Sequence, residues 1–143
     1  MVSASRALSP SLRLFRYELE RAQELLESGE CGEAREAFEQ LRQRTEAEGI
    51  QSAQLCHGLG VAAAACGDLA AGVQHLLSAI CMDPLNADFR GSLEHVLLRV
   101  RLALLDGRCE DAGALYALLE QAQAADLQAR AALARHQLRA SLS

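Results

Sequence analysis

Lysine and tryptophan are absent from this chain of 143 residues, proline occurs twice, and aromatic side chains make up 3% of it. Fourteen arginines stand against nineteen carboxylates, a formal net charge of −5, which argues against nucleic acid as a partner. No apolar run approaches the ~18 residues of a membrane span. The opening stretch MVSASRALSP lacks the apolar core of a secretory signal. β-Branched residues are few and no alternating run reaches strand length, so no sheet is expected. With aromatics scarce, alanine and leucine must fill any core, a composition suited to closely packed helices. The five cysteines are odd in number and contain no C-x-x-C pair. A chain of this size folds without staples, so free thiols in the reducing cytoplasm are the expected state.

Half of the residues are hydrophobic, enough to build one domain at this length. The organisation centres on residues 53–84, AQLCHGLGVAAAACGDLAAGVQHLLSAICMDP. Leu55, Leu59, Ala62, Ala63 and Cys66 keep one face of a first helix, and Leu69, Val73, Leu76, Leu77 and Ile80 one face of a second. Gly67-Asp68 separates the two. Asp83-Pro84 stops the second, because proline cannot continue a helix. Gly60 and Gly72 lie inside the helices, where glycine costs about 1 kcal/mol relative to alanine. Close approach of the two backbones is the natural compensation.

The pattern stands again 38 residues upstream, where Ala22, Gly29 and Ala34 answer to Gly60, Gly67 and Gly72. It recurs 40 residues downstream, where Gly107 and Ala112 answer to Gly67 and Gly72. Three hairpins are therefore expected, at about 12–47, 51–84 and 89–124. A loose leader, 1–8, precedes them, with Ser9 and Pro10 as N-cap and first-turn proline. A last helix, about 126–140, carries Leu127, Ala131, Ala134 and Leu138 on one face and would cap the stack. That makes seven helices in one domain over 9–143. The third repeat departs from the others: Val100 stands where a small residue is expected. The helix around Val100 is apolar almost all round, through Leu93, Val96, Leu97, Leu98, Leu102, Leu104 and Leu105. So much apolar surface exceeds what one hairpin covers, and a homodimer is expected.

Leu59, Gly60, Ala63, Gly67, Asp68, Gly72, Ala79, Asp83 and Pro84 stand at matching places of a known helix–turn–helix signature. On these residues the chain resembles the tetratricopeptide repeat superfamily. It departs from the pattern at Gly72, where the family usually has alanine, and at Cys56 and Ala63, which replace bulky residues. The resemblance implies an all-α, right-handed stack of three hairpins with a capping helix. The first helices would line a concave groove that grips a segment of another protein. Carried over by position, Leu19, Gln23, Leu26, His57, Val61, Ala64, Leu97, Arg101 and Leu104 would face that groove. Arg101 is the one charge among them, so an apolar or amphipathic helical segment fits better than a charged tail. The layout is also similar to the bacterial type III secretion chaperones that hold translocator proteins before export. A general adaptor joining two proteins is the other reading of the same groove.

Catalytic chemistry finds little support. Cys56, His57, Cys66 and His75 lack the clustered spacing of structural zinc, and neighbouring helix residues point about 100° apart. A nucleophilic cysteine would need a base in reach and an orienting third group, and no loop supplies them. The glycine turns lack the lysine and the preceding strand of a phosphate loop. The expectation is a non-enzyme without metal or cofactor. Its alternative, from a different class, is a metal- or redox-responsive regulator using Cys56, Cys66 and Cys81.

Overall fold

The computed structural model describes residues 10–107 and 112–142, and every regular element in them is a helix. In chain order these are α1 (Pro10–Glu27), α2 (Cys31–Glu48), α3 (Ala53–Ala65), α4 (Leu69–Met82), α5 (Ala87–Leu105) and α6 (Ala112–Leu142). Pro10 opens α1, while Ser9 and the leader 1–8 fall outside the described residues. None of the helices is long and apolar enough to cross a membrane, among the described residues.

The turns follow from short-range chemistry. Gly67 adopts φ +93°, a left-handed conformation that glycine reaches without a steric penalty. The Gly67 N–H donates to Ala64 O and the Asp68 N–H to Ala63 O, at 3.0 and 2.9 Å. These bonds satisfy carbonyls that the end of α3 leaves open. Glu30 to Leu25 and Ile50 to Thr45 close the ends of α1 and α2 in the same way. Helix starts are held by side chains. Ser52 Oγ accepts from the Leu55 N–H, Asp68 Oδ1 from the Ala71 N–H, and Asn86 Oδ1 from both Asp88 and Phe89.

The chain forms two compact units, Met1–Gln51 and Ser52–Ser143. In the first, α1 and α2 form a hairpin around Ala22, Ala34, Phe38 and Leu41, all buried. Thr45 is buried with them, its hydroxyl donating to Arg42 O at 2.9 Å. Arg44 and Glu18 form an ion pair across this hairpin.

In the second unit α4 is the central helix and packs on α3, α5 and α6. Val73, Leu76, Ala79 and Ile80 meet Phe89, Leu93, Val96 and Val100 of α5 and Leu118, Ala122 and Ala129 of α6. The α3–α4 pair is the closest. A Cβ added to Gly60 would lie 3.0 Å from Gly72 O, and one added to Gly72 would lie 3.1 Å from Gly60 O.

The end of the chain differs from the sequence reading. In place of a third hairpin helix followed by a separate cap at 126–140, α6 runs unbroken for 31 residues. The expected joint, LEQAQAAD at 119–126, contains neither glycine nor proline, and residues of this kind favour helix. Six helices in the described residues thus stand where seven are expected. The third repeat also lacks a pinch like that of Gly60 and Gly72. Ala112 is exposed, and Val100, fully buried, fills the place corresponding to Gly60. A valine there keeps a second backbone from coming as near. Accordingly α6 packs more along α4 than along α5, and a furrow opens between α5 and α6.

Candidate partner-binding surface

The second unit presents α5 as a ridge between two grooves. Its buried side is Phe89, Leu93, Val96 and Val100. On the opposite side Leu98, Leu102 and Leu105 are 52%, 52% and 83% exposed. Gly91 and His95, both exposed, continue that line toward the start of the helix. A helix whose sequence is apolar nearly all round therefore has one bare face.

On one flank lies a groove of about 500 Å³ against α3, walled by Val61, Ala65, Gly91, Ser92, His95 and Arg99. Two ties fix its width. His57 Nε2 and the Ser92 hydroxyl are hydrogen-bonded at 2.8 Å, and the imidazole stacks on Phe89 with ring centroids 4.9 Å apart. Burial pushes the His57 pKa down from its ordinary value, with the nearby charge of Asp88 opposing the shift. At the other end, Arg99 Nη1 donates to Ala64 O at 2.8 Å. That carbonyl lies in the last turn of α3, where the helix dipole favours a cation.

On the other flank a groove of about 380 Å³ separates α5 from α6, with Ile80, Leu93 and Leu97 as its apolar floor. Arg90, Glu94 and Arg101 border it from α5, and Asp126 and Arg130 from α6. Arg130 is paired with Asp126 at 2.8 Å. Among the described residues the buried Arg90 Nε meets no hydrogen-bond acceptor.

Within the second unit the residues assigned to a single groove fall on two. Leu19, Gln23 and Leu26 share one face of α1 in the first unit, all half-buried. In the second unit Val61 forms a wall of the α3-side groove. Ala64, largely buried with its methyl beside Gly72, lines the same groove as Val61 and gives its carbonyl to Arg99. His57 is half-buried and engaged with Ser92 and Phe89. Leu97 and Arg101 belong to the α6-side groove, and Leu104 is half-buried against the core. Sequence reasoning missed Ser92, His95 and Arg99. The signal for Arg99 was present: an arginine inside an otherwise apolar helix needs an acceptor.

Cys31, Cys56, Cys66 and Cys81 are thiols, with Cys66 and Cys81 exposed. Cys109 lies outside the described residues. No group of three or more histidine, cysteine, aspartate or glutamate side chains assembles a metal site among the described residues. No protein-family model, curated protein or solved structure matches this chain.

Proposed function

We propose that the chain is a non-enzymatic protein-binding module of the tetratricopeptide kind. In this reading the α3-side groove receives the apolar face of a helical or extended segment from another protein. One observation carries it: the groove is a recess prebuilt from small side chains. Val61, Ala65 and Gly91 leave about 500 Å³ between two helices, and the His57–Ser92 and Arg99–Ala64 bonds hold those helices apart at fixed points. A pre-formed apolar recess with a few polar groups at its rim is what helix-in-groove recognition requires. The hairpin layout favours a chaperone that shields such a segment before export, as type III secretion chaperones do. An adaptor joining two proteins would use the same recess.

Val61→Glu tests the reading. Val61 is half-buried at the groove wall, so in the free protein the carboxylate stays in water, whereas a bound apolar segment would bury it unpaired. Affinity for the segment recovered with the wild-type chain is expected to fall about tenfold or more, at ~1.4 kcal/mol per decade. The melting temperature should barely move. Unchanged affinity would remove this groove as the site.

A further inference from the structure

We infer that α5 pairs with α5 of a second copy of this chain, antiparallel, through its exposed ridge. The inference goes beyond the partner groove and rests on the spacing and charge of one helix. Gly91, His95, Leu98, Leu102 and Leu105 follow one another at intervals of four, three, four and three, and all five are exposed. That is the spacing at which one helix keeps a continuous seam against another over two to three heptads.

Between Gly91 and Leu102 the seam is complementary to itself in shape and in charge, while Leu105 falls at its end, opposite the exposed Asp88. Set antiparallel about a twofold axis, Leu98 meets His95 of the second copy and Leu102 meets its Gly91. A Cβ added to Gly91 would find nothing within 4 Å, so the glycine leaves a hollow that a leucine side chain fills. Glu94 and Arg101 flank the seam on the same side, seven residues apart. Seven residues of helix span about 10 Å, too far for the two to pair within one chain. In an antiparallel pair the same-side flanking positions face each other, so Glu94 meets Arg101 of the second copy, twice over. The ridge is apolar but not indifferent to what covers it: its flanking charges match its own copy reversed. One helix pair of this length buries less than the ~1,200–2,000 Å² of a standard interface, so association is expected at micromolar concentrations rather than below.

Sedimentation velocity of the full chain from about 1 to 200 µM tests the pairing, with circular dichroism to verify each fold. Wild type is expected to shift from monomer to dimer, and Leu98→Glu to remain monomeric. Arg101→Glu and Glu94→Arg, each placing like charges opposite one another, should weaken the dimer about tenfold or more. The double variant Glu94→Arg/Arg101→Glu restores the match and should return the wild-type constant. A parallel pair would show no such rescue. A wild-type chain that stays monomeric throughout, or a dimer insensitive to the swaps, overturns the inference. Glu94, Leu98 and Arg101 do not line the groove that holds Val61, although the seam shares Gly91 and His95 with it. The dimer is read without the segment and Val61→Glu by segment affinity, so either can fail without the other.

Discussion

A Cβ placed on Gly60 would lie 2.7 Å from Leu76 Cγ and 3.0 Å from Gly72 O. The leucine can rotate, but the carbonyl moves only if α4 moves. Gly60→Ala is therefore expected to destabilise the chain by about 1–3 kcal/mol, outweighing the ~1 kcal/mol that alanine gains in helix propensity. Gly91 sits in the interior of α5 with open space around it in the single chain, and Gly91→Ala should instead stabilise the monomer by about 0.5–1 kcal/mol. Urea unfolding of the two variants separates the cases. Opposite signs are the expected result, and a neutral Gly60→Ala would mean that the two backbones are not held that close. Both glycines look alike in the sequence. Only Gly60, with a partner glycine twelve residues on, was legible as a contact.

Between elements, the His57–Ser92 bond and the stack on Phe89 join α3 to α5. Because burial lowers the His57 pKa, the unfolded chain takes up this proton at a higher pH than the folded chain does. The stability that neutral His57 contributes is complete above the ordinary histidine range and is lost as pH falls through it toward the folded value. Melting temperatures between about pH 7.5 and 5.5 should fall more steeply for wild type than for His57→Gln. Equal slopes would show that the imidazole is as well hydrated as in the unfolded chain. The ends of α1, α3, α4 and α5 were readable because Gly29, Gly67, Pro84 and Gly107 act through local chemistry. The length of α6 was not, since repetition led to a break where the residues themselves supply none. The bare face of α5 was equally hidden: when nearly every position is apolar, periodicity cannot choose which side meets the core. Neighbouring helices decide that, and α6 leans toward α4.

Across the whole molecule the buried apolar residues are shared unequally. Among the described residues the first unit relies on Ala22, Ala34, Phe38 and Leu41, whereas the second gathers thirteen buried residues into one cluster. Within the second unit the contacts differ in how far along the chain their partners lie. Ile80 and Ala129 are distant in sequence, but Gly60 and Gly72 are twelve residues apart across a turn that Gly67 and Asp68 already close. Bringing near neighbours together costs little loop entropy, and chains rich in such contacts fold quickly. The glycine pinch is therefore expected to set an order in time as well as a distance, with α3 and α4 docking first and α5 and then α6 assembling on a surface already made. Stopped-flow folding of Gly60→Ala is expected to show most of its energetic cost as slower folding, with the unfolding rate little changed. A variant that folds at the wild-type rate and unfolds faster would place the pinch late, after the long-range contacts of α6.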